Sequence, residues 1–274
     1  MSFSQIDMHF SARLNGATHS GGARMIEEIQ HQSALEARAA ARRIGLIALA
    51  TDHTVEADFR RLVASDDIAV HVTRVGYANP TTPDNLRAMH PHLAAAAALL
   101  LPGEALDAVV YGCTSASVVI GEEAVAAAIR EGKPGAAVIT PAGAAVLALR
   151  ALKARRISIL TPYIRQTAEP MQAYFEANGF AVDRLLCLGM EDDRDMARLP
   201  HAEIVRLAAG IAAAGTEALF IACTALRAAQ CASEIERQTG LPVVTSNLAA
   251  AWASLRQCGI APDPKAACRL LATA

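Results

Sequence analysis

Residues 107–115, DAVVYGCTS, and residues 217–224, EALFIACT, decide how this chain reads. Each opens on an acidic residue, continues as a short apolar run and reaches Cys-Thr. An apolar run of that length fits a strand buried on both faces of a parallel sheet. Outward from these stretches, further pairs keep the same order. Arg43-Ile44 matches Arg156-Ile157, Glu56 matches Glu169 and Gly76 matches Gly189, all at an offset of 113. Asp107-Ala108 matches Glu217-Ala218 and Cys113-Thr114 matches Cys223-Thr224, both at 110. Gly132-x-Pro134 matches Gly240-x-Pro242 at 108, and Thr140 matches Thr245 at 105. Collinear pairs with a slowly drifting offset indicate a duplicated α/β unit of about 110 residues, too long a period for a solenoid.

The segments between these marks alternate. Apolar runs at 44–50, 68–75, 107–112 and 136–140 predict four strands of a first half, with helices over 55–64, 84–101, 117–131 and 142–153. Runs at 156–161, 182–188, 217–222 and 242–245 predict four strands of a second half, with helices over 167–178, 201–214, 225–238 and 247–258. Alternation of this kind implies parallel sheets covered on both faces. The expected fold is α/β, with two pseudo-symmetric Rossmann-like halves and an active site in the cleft between them. The expected boundaries are 43–140 plus 247–274 for the first half and 141–246 for the second. Residues 1–42 would form an N-terminal extension, with a helix over 24–42 rich in Ala, Glu and Arg.

Composition excludes several classes. Hydrophobic residues are 53% and charged residues 19% of 274, which is enough apolar material for a core and too little charge for disorder. Lys+Arg is 25 against Asp+Glu 27, so no basic field exists to hold a nucleic-acid backbone. The longest apolar stretch, 93–102, is far short of a membrane span, and residues 1–14 contain no apolar signal core. A cytoplasmic location follows as an expectation. Six cysteines without a CxxC pair fit reduced thiols. The Ala-rich segments 94–100 and 205–214 offer faces for a homo-oligomer.

Ligands of open α/β sheets bind outside the carboxyl ends of the strands, where both halves place Cys-Thr. A helix starting just after each cysteine would lower the thiol pKa. Two thiols flanking one cleft can remove a proton from one face of a carbon and return one to the other. Alternatively one thiolate adds to an activated double bond. A buried Cys is also an ordinary core residue, and that reading suits the unmatched Cys187, Cys231, Cys258 and Cys268. No GxGxxG or GxxxxGK motif is present. His90-Pro91-His92 lacks a third ligand at metal spacing. The expected chemistry therefore needs no cofactor and no metal.

The stretches VVYGCTSAS (109–117), TPAGAAVLALRAL (140–152), RRISILTPY (155–163), FIACTALR (220–227) and PVVTSNLAAAW (242–252) carry a family likeness. Over about 43–257 the chain resembles the aspartate/glutamate racemase superfamily. Within it the chain is most similar to the branch of maleate cis–trans isomerases, arylmalonate decarboxylases and the ectoine-utilisation protein A group. The resemblance implies a catalytic pair at Cys113 and Cys223. It also implies a hydrogen-bonding or acidic role for Tyr163, and a carboxylate cradle at the N–H groups of Thr114, Ser115, Thr224 and Ala225. Having both cysteines speaks against an arylmalonate decarboxylase, whose first-half position is typically not Cys.

Two departures bear on the substrate. Where maleate isomerases carry asparagine in Ser-Ser-Asn-Thr, this chain reads Ala50-Thr51-Asp52-His53-Thr54. Where they carry Asp-Asn in the second half, it reads Asp192-Asp193. A carboxamide can donate to a substrate carboxylate and an ionised Asp cannot. Thr51, Asp52 and Asp193 are thus expected to contact a small carboxylate that also carries a cationic nitrogen group, as ectoine and 5-hydroxyectoine do. Asp52 would equally cap the helix after Thr54, and the acidic run 191–195 would equally be a solvated face. Maleate isomerisation and non-catalytic binding of a small molecule are the alternatives. Asn247 would line the cleft or cap the last helix.

Overall fold

Each Cys-Thr lies at the carboxyl end of an inner strand of its own four-stranded parallel sheet. The computed structural model describes residues 34–261 and 268–273, and residues from Arg38 onward form one compact unit. In the first half, β1 (Arg42–Leu49), β2 (Ile68–Val75), β3 (Ala108–Tyr111) and β4 (Ala137–Ile139) align in the order β2-β1-β3-β4. In the second, β5 (Arg156–Tyr163), β6 (Ala181–Met190), β7 (Ala218–Ile221) and β8 (Val243–Thr245) repeat it as β6-β5-β7-β8. Ile44 pairs with Ala108 and Ile157 with Ala218, so the equivalent strands also share register. The inner strands β1 and β5 are buried at all but their first residue, as their unbroken apolar runs require.

Helices cover the sheets. Those of the first half are α1 (Val55–Leu62), α2 (Pro83–Arg87), α3 (Leu93–Ala98), α4 (Thr114–Ile120) and α5 (Glu122–Gly132). Next come α6 (Pro141–Ala151), α7 (Arg165–Ala177), α8 (Asp193–Ala197), α9 (His201–Gly210), α10 (Ala232–Thr239) and α11 (Ser246–Gln257). The C-terminal α11 is buried over most of its length and belongs to two cores. Ala250, Ala251 and Cys258 pack with Ile44, Leu46 and Phe59, while Leu248, Ala249 and Trp252 pack with Ile159 and Phe220. Among the described residues no helix is long and apolar enough to cross a membrane, and all six cysteines are free thiols.

Three helices depart from the sequence expectation, and a fourth lies mostly outside the described residues. The reading of 24–42 lies outside the described residues through 33, and residues 34–41 are irregular before β1. The segment 84–101 is split into α2, a 3-10 turn at His90–His92 and α3. Pro91 supplies no N–H and crowds the preceding turn. The segment 117–131 breaks at Gly121, whose φ of 96° and ψ of 134° favour glycine. The segment 225–238 has no α-helix directly after Cys223: a 3-10 turn at Arg227–Gln230 precedes α10.

Candidate active site

Cys113 and Cys223 line one small cavity at the junction of the two sheets, with Asp52, Tyr77, Thr81, Ser115, Tyr163, Asp193, Met196, Thr224 and Ala225 around them. The cavity is small, about 20 Å³.

The two cysteines sit in different backbones. Cys113 is extended (φ −146°) and precedes the first turn of α4, where the Ala116 N–H reaches its sulfur. The Ser115 hydroxyl lies 3.7 Å from the same sulfur. Cys223 instead has φ +94°, a left-handed conformation that side-chain-bearing residues rarely adopt. Its thiol faces the Ala225 N–H and the Tyr163 hydroxyl. Tyr163 is buried and also contacts Ser115, so one phenol touches the machinery of both halves.

The expected low thiol pKa values are overturned. Burial pushes Cys113 up to about 11 and Cys223 up to about 12, and the amide and hydroxyl contacts only partly offset it. Negative charge on Asp52 pushes both thiols the same way. The seven-residue α4 and the non-helical turn after Cys223 offer little dipole to oppose desolvation.

The acids divide into inner and outer. Asp52 is 6% exposed, and its Oδ1 accepts the Thr54 and Val55 N–H groups at 2.7 Å each. It supports the entrance to α1 and lines the cavity at once. Burial raises it to about 6, and the neighbouring charge of Asp193 adds to the rise. Asp193 is also buried and lines the cavity, accepting the Thr51 hydroxyl at 2.5 Å and the Asn79 amide at 2.8 Å. Asp192 faces outward, where the Arg194 guanidinium holds it down at about 2. The solvated reading therefore suits Asp192, and the cavity acid is Asp193. Thr51 is not itself a lining residue; it reaches the cavity through Asp193.

Thr114 and Thr224 point to framework partners. Thr114 donates to Ser246 Oγ at 2.7 Å, and Thr224 donates to the Gly112 carbonyl at 2.9 Å. Their side chains are thereby committed, leaving backbone groups for a ligand. Asn247 does not cap the last helix, since Thr245 does so. His53 lines a separate outer groove of about 640 Å³ with Arg194, Arg198 and Arg227. Among the described residues no group of three His, Cys, Asp or Glu side chains is arranged to hold a metal.

Tyr77, Asn79 and Thr81, from the segment after β2, were not anticipated. The Tyr77 hydroxyl donates to Thr81 Oγ1 at 2.9 Å, and burial raises the Tyr77 phenol well above its ordinary value. The internal repeat held the signal for Asn79: the 113-residue offset places it on Asp192, to which it hydrogen-bonds at 2.9 Å.

Comparison with known proteins places this geometry. A family model described as arylmalonate decarboxylase matches residues 82–271. The maleate isomerase of Nocardia farcinica is 30% identical over 241 residues, covering 84% of this chain and 95% of that protein. A structure of the Nocardia farcinica maleate cis–trans isomerase, a variant with a covalently bound succinylcysteine intermediate, superposes with a TM-score of 0.76. It is 29% identical and covers 84% of this chain and 98% of its own. A crystal structure of arylmalonate decarboxylase gives a TM-score of 0.70 at 26% identity, covering 85% of this chain and all of that one.

Proposed function

Because this chain belongs to the arylmalonate decarboxylase and maleate isomerase family of enzymes, we propose that it is an isomerase acting on a small carboxylate that also carries a cationic nitrogen group. The observation that carries this reading is the charge of the cavity wall. Its lining holds two acids, Asp52 and Asp193, and no Lys, Arg or His. A second carboxylate about 4 Å from either acid costs roughly 4 kcal/mol at an effective dielectric of 20. A cation in the same place gains about 1.5–3 kcal/mol per charged hydrogen bond.

The raised thiols favour the same substrate. A bound cation lowers the cost of ionising Cys113 or Cys223, so the base forms when substrate binds; a dianion would raise that cost further. One thiolate then takes the Cα proton and the opposite thiol returns one to the other face, leaving atoms and charge unchanged overall. Tyr163, between Cys223 and Ser115, orients the carboxylate and donates a hydrogen bond as charge develops on it. No step of this scheme calls on a cofactor. Ectoine and 5-hydroxyectoine combine a carboxylate with an amidinium, and the resemblance to the ectoine-utilisation group makes them the first compounds to test.

Maleate isomerisation is the second reading, favoured by the 30% identity to a maleate isomerase over nearly its whole length. Its route would be thiolate addition to the double bond, rotation and elimination, in line with the succinylcysteine in the related structure. Proton NMR in D₂O separates the two. The panel is ectoine, 5-hydroxyectoine, L-aspartate, L-glutamate and maleate. The expected result is deuterium at Cα of a cationic member, lost in Cys113→Ala. Conversion of maleate to fumarate, with no exchange in the others, would overturn the cationic reading in favour of the second.

A further inference from the structure

The first turn of α11 touches both cysteine turns. Ser246 and Asn247 are 0% and 1% exposed. Ser246 Oγ accepts the Thr114 hydroxyl at 2.7 Å, one residue beyond Cys113. Asn247 Nδ2 donates to the Thr224 carbonyl at 2.9 Å, one residue beyond Cys223, and to Asp58 Oδ2 at 2.7 Å. Asp58 is fully buried and fixed from outside by Arg61 at 2.8 Å. Because both neighbours of the amide are acceptors, Asn247 is held with its NH₂ toward them, and its Oδ1 is buried without a partner. Leaving an acceptor unpaired is unfavourable; the compensating contact is the one that grips the Thr224 carbonyl. On the other side of the same turn, Thr54 Oγ1 donates to the Ala225 carbonyl at 2.7 Å. Cys223, at φ +94°, is thus clamped by hydrogen bonds to the next two carbonyls. A left-handed residue without glycine persists only where its surroundings over-determine it.

We propose that Ser246 and Asn247 are positioning residues that fix the two reacting thiols relative to each other, Ser246 through Thr114 and Asn247, with Thr54, through Thr224 and Ala225. The proposal rests on the reading of Cys113 and Cys223 as the reacting groups. Loss of the Asn247 or Thr54 clamp lets Cys223 relax toward negative φ. Its sulfur then leaves the Ala225 N–H and the Tyr163 hydroxyl, while Cys113 keeps its contacts.

The test is the rate of iodoacetamide alkylation of the full chain between pH 7.5 and 10, resolved for each cysteine by peptide mass spectrometry. Each thiol is the control for the other. Asn247→Ala and Thr54→Val are expected to slow Cys223 at pH 9 by about threefold or more and move its pH profile upward, with Cys113 unchanged. Thr54→Ser should restore the parental profile, and Ser246→Ala should shift Cys113 alone. Thr54→Val, close to isosteric, carries the Cys223 arm where Asn247→Ala fails to fold. Equal changes at both cysteines in every variant, or no change at either, would overturn the proposal. Full turnover in Cys223→Ala would instead sink the catalytic reading and leave the alkylation result standing.

Discussion

Asn79 and Asp192 are separated by 113 residues, the offset that relates the two halves, and they hydrogen-bond to each other at 2.9 Å. Equivalent positions of a duplicated unit thus meet where the halves face one another. From the same amide Asn79 also holds Asp193, the acid that lines the cavity. The pseudo-symmetry brings the two strand ends together, and the side chains there differ enough to give the cavity its charge.

Truncating either thiol should remove turnover without removing binding. Cys113→Ala and Cys223→Ala are each expected to lower kcat by about 10²–10⁴, the usual contribution of a positioned acid or base. Deuterium incorporation by NMR measures it. The parental rate in either variant would end the two-thiol mechanism.

The raised carboxyl of Asp52 sets a pH dependence of stability. Its pKa rises from 3.8 to about 6 on folding, so the folded state holds the proton more tightly. Stability from this group is fully present below pH 3.8 and is lost as pH rises through about 6, by roughly 3 kcal/mol in all. Asp52→Asn keeps an acceptor for the Thr54 and Val55 N–H groups and removes the buried charge. Urea denaturation should show the variant more stable than the parent at pH 8 and equal to it at pH 3.5. An unchanged difference between the two pH values would show that Asp52 is not desolvated.

The same argument fixes the labelling behaviour of the cysteines. With thiols at about 11 and 12, thiolate fractions at pH 8 are about 10⁻³ and 10⁻⁴. Alkylation should be slow near neutrality and rise about tenfold per pH unit up to pH 10. A plateau below pH 8 would mean that the sulfurs are less desolvated than their burial implies.

A packing prediction concerns α3 and α5. A Cβ on Gly132 would stand 2.1 Å from the Ala94 carbonyl oxygen and 2.8 Å from the Ala98 nitrogen, both backbone atoms. Gly132→Ala must push the helices apart, at a cost of about 1–3 kcal/mol. A lower urea midpoint with an unchanged slope is the expected signature.

The sequence by itself determined the two halves, their parallel sheets and the placing of a cysteine at the end of β3 and of β7. Those features follow from local periodicity and from a repeat that can be counted along the chain. Through its resemblance to the maleate isomerase branch it also pointed to Asp52, Tyr163 and the acidic pair. Tertiary structure alone decided that Asp193 rather than Asp192 faces inward: at the start of the five-residue α8 the Asp193 carboxyl lines the cavity and accepts the Thr51 hydroxyl, while the Asp192 carboxyl pairs with Arg194. It alone gave Cys223 its left-handed backbone, through bonds from Thr54 and Asn247 to the two residues that follow it. And it set the thiol pKa values, where the expected helix dipole loses to desolvation. Each of these depends on contacts between residues far apart in the chain, and on burial that no local pattern encodes.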